Sequence, residues 1–182
     1  YGHIAYEAEQ YSTALPQFKA LVGDEKFGGV VPYYLSQIYY KTGEIDLLLE
    51  VGESLLSQAV SSRAAEVAKL IGEGYYQKGN WKQAALYLEK NKELGGKMSI
   101  NDYYKLGFVL YKNGRYEEAI TDFNKIHNRS DNLGQSAYYH LADCYLQTGK
   151  RTEAQGAFFR ASQAGDDERL REDAFFNYAK LS

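Results

Sequence analysis

Cysteine, methionine and tryptophan each occur once and proline only twice in these 182 residues. The single cysteine, Cys144, excludes an intrachain disulfide and leaves the redox compartment undecided. With so little proline the backbone hydrogen-bond ladder is rarely interrupted, and abundant Leu, Ala, Glu, Lys and Gln favour helices over strands. No apolar run approaches the roughly 20 residues of a membrane span, so direct membrane insertion is not expected. Positive charge is not in excess either. Lys and Arg number 21 against 24 Asp and Glu, a net charge of −3, which leaves no basic field to attract phosphate backbones or anionic membranes. Nucleic acid is therefore not an expected partner. What the chain does have is 45% hydrophobic residues, enough for one sizeable core or for a repeat array that shares its core between neighbours. It also has 18 tyrosines, whose apolar rings and polar tips suit a surface both apolar and wet.

A phrase repeats along the chain. Aligned on a glycine it reads "LSQIYYKTGEIDLLLEVGESLL" at Gly43, "IGEGYYQKGNWKQAALYLEKNK" at Gly79, "LGFVLYKNGRYEEAITDFNKI" at Gly114 and "LADCYLQTGKRTEAQGAFFRA" at Gly149. The separations are 36, 35 and 35 residues. A first copy, "YGHIAYEAEQYSTALPQFKAL", has Glu9 in place of the glycine, and "EDAFFNYAKLS" begins the phrase once more. Apolar residues three and four apart on either side predict two helices joined by a short turn, with the glycine as a left-handed cap. Seven residues before the turn stands a small residue, Gly2, Ser36, Gly72, Gly107 or Ala142; five after it stands Ala14, Leu48, Ala84, Ala119 or Ala154. Small side chains there let paired helices approach closely, while Phe18, Leu88, Phe123 and Phe158 fill the seam. Gly52 breaks that last rule, so the Gly43 copy is expected to pack least well. The connectors carry stop and start signals: Pro32 before the second copy, Gly95 and Gly96 followed by Ser99 as a cap over Asp102, and acids at later helix starts.

This combination of period, small residue, tyrosine pair, turn glycine, alanine and Phe or Leu resembles the tetratricopeptide repeat over essentially the whole chain. Pentatricopeptide repeats have a nearby period and bind RNA, against which the acidic balance argues; the extra glycines and valines of Sel1-like repeats are missing. The resemblance implies an all-α fold, a right-handed α-solenoid of stacked antiparallel helix pairs forming a single domain over 1–182. The repeats fall at about 1–28, 29–62, 63–97, 98–131 and 132–166, with an extra helix over 167–182. Because Tyr1 and Ser182 fall midway through the phrase, a segment of a longer array is expected. Stretches such as "SAYYHLADCYLQTG" are similar to arrays in bacterial cell-envelope proteins, which implies a periplasmic setting and envelope proteins or chaperones as partners; the tyrosine-proline-x-serine connector common in those arrays is absent.

Residues that could carry chemistry have simpler roles. His140 and Cys144 are four apart on one helix face beside Asp143, but a free cysteine on a neighbour-facing surface is commonly a small buried hydrophobe. Two ligands are also fewer than a zinc site needs. "GEG" at Gly72–Gly74 lies inside a predicted helix and lacks the lysine of a phosphate loop. Glu117, Glu118, Asp166 and Asp167 read as solvated charge, Asn128 opens a glycosylation sequon, and His3 and His127 have no partner identifiable from sequence. No catalytic residue, metal or cofactor is expected.

In the family's architecture first helices line a concave groove. That places Tyr6, Tyr33, Tyr40, Lys69, Glu73, Tyr76, Tyr104, Phe108, Tyr111, Lys112, Tyr139 and Asp143 along it, with the first tyrosine of each "YY" packed inside and the second facing the groove. The lysines, asparagines and arginine with which some relatives clamp the acidic C-terminus of heat-shock chaperones are not matched in either register: Tyr33, Gln37, Leu70, Asn101 and Lys105 stand in one, and Lys69, Glu73, Lys105, Ser136 and His140 in the other. The expected function is a non-catalytic scaffold holding a peptide segment or helix of another protein. The alternative is a structural spacer or oligomerisation module acting through the convex face or helix ends.

Overall fold

Gly43, Gly79, Gly114 and Gly149 all take the left-handed backbone, with φ of 77°, 69°, 74° and 75°. Glu9 adopts the same conformation at φ 57°, so the first copy makes the family turn without the residue that makes it easily. At all five turns the residue after this position donates its N–H to the carbonyl five residues before its own, closing the helix end identically: Gln10 to Ala5, Glu44 to Tyr39, Asn80 to Tyr75, Arg115 to Leu110 and Lys150 to Tyr145, at 2.8–3.0 Å.

The computed structural model describes residues 1–182. It contains eleven helices: α1 (Gly2–Glu7), α2 (Tyr11–Lys19), α3 (Val31–Lys41), α4 (Ile45–Gln58), α5 (Ser61–Gln77), α6 (Trp81–Glu93), α7 (Ile100–Lys112), α8 (Tyr116–Phe123), α9 (Asn132–Gln147), α10 (Arg151–Gln163) and α11 (Glu168–Leu181). Sequence reading treats the chain as one domain, whereas the backbone contacts divide it into two compact units, Tyr1–Lys97 and Met98–Ser182. The repeat phase nevertheless continues from Gly79 to Gly114 across that division. In unit 1 the hairpins α1–α2, α3–α4 and α5–α6 stack in order, α2 on α3, α4 on α5 and α3 on α5. In unit 2 α7–α8 and α9–α10 stack likewise, and α11 closes over α10 and α9.

Helix starts follow local chemistry. Ser99 and Asp102 form a reciprocal capping box at α7, the Ser99 hydroxyl accepting from the Asp102 N–H at 3.1 Å and the Asp102 carboxylate from the Ser99 N–H at 2.8 Å. Asn80 caps α6, Asp131 caps α9 and Asp167 caps α11. Arg129 and the Gly134 N–H together hold the Asp131 carboxyl down to about 2.

The seam is built as the small residues dictate. Ala14, Leu48, Ala84, Ala119 and Ala154 are all fully buried, as are Phe18, Leu88, Phe123 and Phe158 to within 5%. A Cβ on Gly72 would come within 2.8 Å of the Leu88 side chain, and one on Gly107 within 2.9 Å of the Phe123 ring. As expected, the Gly43 copy pairs its two helices least intimately of the five hairpins. Its missing side chain at Gly52 is replaced from the next hairpin by Ile71, which would sit 3.0 Å from a Cβ there and is itself buried. Gly156 differs, since it is exposed inside α10 with nothing within 4 Å of a built Cβ. Gly156→Ala is expected to stabilise the protein by about 0.5–1 kcal/mol, read as a raised denaturant midpoint, because only backbone entropy distinguishes the two residues there.

Candidate functional site

In unit 1 the first helices α3 and α5 pack on each other and carry Tyr33, Tyr40, Lys69, Glu73 and Tyr76, while α1 brings Tyr6 to α3 through its side chain. None of the rings stands alone. Tyr6 packs edge-on against Tyr34 at 5.1 Å, and the Lys41 ammonium lies 5.1 Å above the Tyr6 ring and 5.6 Å above Tyr11. The Arg63 guanidinium covers the Tyr33 ring at 4.5 Å while donating to Glu66 at 3.0 Å. Burial first, and Glu66 second, push the Tyr33 hydroxyl's pKa up. Tyr40 donates its hydroxyl proton to the buried Glu73 carboxylate at 2.5 Å, and burial together with that acid pushes Tyr40 up to about 12. Tyr76 meets Trp81 edge-on at 5.6 Å. Lys69 and Glu73, with Gln37, Glu66 and Asn91, line a cavity of about 550 Å³.

In unit 2 α7 and α9 repeat the arrangement. Tyr111 donates to Asp143 at 2.6 Å, and burial followed by that acid raises its pKa. Tyr139 donates to Asp173 of α11. Tyr104 stacks on Phe108 at 6.1 Å, and the Lys112 ammonium lies 5.8 Å above the Phe108 ring. The inside–outside expectation for tyrosine pairs holds at Tyr39, which is buried beside half-buried Tyr40; Tyr75 is only half-buried and stacks on Tyr87 at 5.7 Å.

Sequence reasoning named the tyrosines and missed what holds them. Tyr40 and Tyr111 both stand three residues before a turn glycine, and their acceptors Glu73 and Asp143 both stand six before the next. The partner is thus one repeat further on, 33 and 32 residues away. An acid at that place following a tyrosine at the other was the available signal. The consequence is chemical: these hydroxyl protons are committed within the protein, so what remains for a ligand is ring edge, hydroxyl lone pairs and the cations lying over the rings.

The His140–Cys144 pair is built for packing. Cys144 is fully buried and its thiol is pushed up to about 12, by burial first and Asp143 second. Burial pulls His140 down to about 4, and its Nδ1 is buried without a partner among the rings of Phe108, Tyr111 and Phe123. At neutral pH both groups are uncharged, so no thiolate is present to attack or bind metal. Iodoacetamide is expected to leave Cys144 unmodified in the native protein and to modify it fully in denaturant; mass spectrometry of the intact chain reads both. No group of three or more His, Cys, Asp or Glu side chains converges. "GEG" lies within α5, where Gly72 meets Leu88 and a Cβ on Gly74 would sit 3.0 Å from Leu49. Glu117 pairs with Lys150 at 2.7 Å, Glu118 pairs with Arg115, and Asn128 is exposed in a left-handed turn at φ 55°.

A family model described as anaphase-promoting complex, cyclosome, subunit 3 matches residues 78–161. No curated protein sequence matches the chain. Among solved structures, MamA AMB-1 is 25% identical, with a TM-score of 0.60 over 94% of this chain and 96% of its own. MamA MSR-1 is 26% identical, with a TM-score of 0.63 over 95% and 94%. YrrB, described as a TPR protein with an unusual peptide-binding site, is 16% identical with a TM-score of 0.73 over 96% and 88%, a likeness of fold alone. With its in-phase sequence, its five identically closed turns and these likenesses, the chain has the helical-repeat fold of tetratricopeptide-repeat proteins.

Proposed function

We propose that the protein is a non-catalytic interaction scaffold in which each unit uses its own first helices, α3 and α5 in unit 1 and α7 and α9 in unit 2, to hold a peptide segment or helix of a partner protein. The observation that carries this reading is the row of half-buried tyrosines fixed by acids one repeat away, Tyr40 on Glu73, Tyr111 on Asp143 and Tyr139 on Asp173. A ring already held in one rotamer has little side-chain entropy left to lose on binding, so it supplies contact area at low cost. YrrB's described peptide-binding site, on the same fold, agrees with this use of the architecture. The Lys41, Arg63 and Lys112 side chains over the rings add a charged component that favours partner segments with scattered acids.

The residues proposed to meet the partner are Tyr6, Tyr33, Tyr40, Lys69, Glu73 and Tyr76 in unit 1, and Tyr104, Phe108, Tyr111, Lys112, Tyr139 and Asp143 in unit 2. Replacing Tyr76, Tyr104 and Tyr111 together by alanine is expected to weaken a captured partner at least about tenfold, while the far-ultraviolet circular dichroism stays helical. An unchanged dissociation constant in a quantitative pull-down would remove the first-helix assignment.

A further inference from the structure

Unit 1 carries a second recess. Val22, Val31, Leu35, Tyr39, Val51 and Leu55, from the connector after α2 and from α3 and α4, line a cavity of about 210 Å³. That volume lies below the roughly 300–1,000 Å³ typical of small-molecule sites and suits a single apolar side chain. Its polar lining is almost wholly self-satisfied, since the Gln58 amide donates to the Ser54 carbonyl at 3.1 Å and to the Ser54 hydroxyl at 2.8 Å. The exception is Lys19. Its ammonium lies 5.9 Å above the Tyr39 ring centroid, makes no ion pair and is exposed at the end of α2. Val22 in the same lining is 52% exposed, so apolar surface continues out of the recess into solvent.

An apolar slot beside one uncompensated cation selects a ligand that is apolar at one point and anionic next to it. We propose that this recess is a second peptide-docking site, taking a leucine- or phenylalanine-sized side chain from an acidic segment of a partner protein, with an adjacent Asp or Glu carboxylate paired to Lys19. The buried side chain supplies most of the binding energy and the ion pair a smaller, orienting share.

Three blocked pentapeptides separate these terms: acetyl-Ser-Glu-Leu-Glu-Ser-amide, the same peptide with lysines for the glutamates, and the same peptide with serine for the leucine. Each is titrated into the ¹⁵N-labelled protein. The glutamate–leucine peptide is expected to give saturable amide shifts confined to Val31, Leu35, Tyr39, Val51 and Leu55, and the other two none up to about 5 mM. Lys19→Met is expected to weaken the response about fivefold, the most an exposed ion pair contributes. Val51→Phe, which fills the recess, abolishes it with the helical circular dichroism unchanged. An equal response to the lysine peptide, no effect of Lys19→Met, no saturation by the glutamate–leucine peptide, or shifts centred on first-helix residues such as Tyr104 would each overturn the proposal. The last result would do so while supporting the first-helix reading, so the two fail separately.

Discussion

Phe123→Ala is expected to lower stability by about 3–5 kcal/mol, because a fully buried ring is removed from a seam that cannot close. The site explains why. Gly107 lies directly beneath the ring, Tyr104 approaches it at 6.1 Å and His140 stacks on it at 6.2 Å. Gly107 and Tyr104 belong to α7 and His140 to α9 of the next hairpin, so none can move into the space without breaking contacts elsewhere. For a chain of this length about 2–4 °C accompanies each kcal/mol, so the thermal midpoint should fall by roughly 6–20 °C. A fall below about 2 °C would show that the seam is not tightly packed.

Gly72→Leu tests the same seam from its other wall. A Cβ at position 72 would already come within 2.8 Å of the Leu88 side chain and 3.0 Å of the Leu88 backbone nitrogen. The side chain could rotate away, but the backbone of α6 cannot retreat without opening the α5–α6 hairpin. Four added carbons are therefore expected to cost about 3 kcal/mol or more, at the upper end of overpacking. Leucine's better helix propensity, about 1 kcal/mol over glycine, offsets only part of it. Gly156→Leu is the control, because nothing lies within 4 Å of a Cβ there. Chemical denaturation of the two variants should give shifts of opposite sign; similar shifts would mean that helix propensity, not close approach, explains the small residue in each repeat.

The hairpins were legible because each rests on short-range chemistry. A turn glycine, a small residue seven before it and an alanine five after it are fixed by contacts inside one helical pair, so they recur at a visible interval. The Ser99–Asp102 cap was equally local. What was hidden depends on how one hairpin sits on the next. Tyr40 gives no sign of Glu73 until the helices are stacked, and only the phase of the repeat then shows that Tyr111 and Asp143 are the same pair again. What fills the place at Gly52 was hidden for the same reason, since Ile71 belongs to the following copy. The lysine and arginine side chains over Tyr6, Tyr33 and Phe108 were invisible too, because flexible cations settle on whichever ring face stacking leaves open. Glu9 was seen as a missing glycine, yet the turn forms with glutamate in the left-handed conformation because the surrounding helices fix it.

The proposed binding face can be tested by amide hydrogen exchange on the protein alone and in complex with a captured partner. Slowed exchange concentrated in α3, α5, α7 and α9, with the second helices α4, α6, α8 and α10 unchanged, is the predicted footprint. Protection confined to the second helices, or to α11 alone, would contradict it.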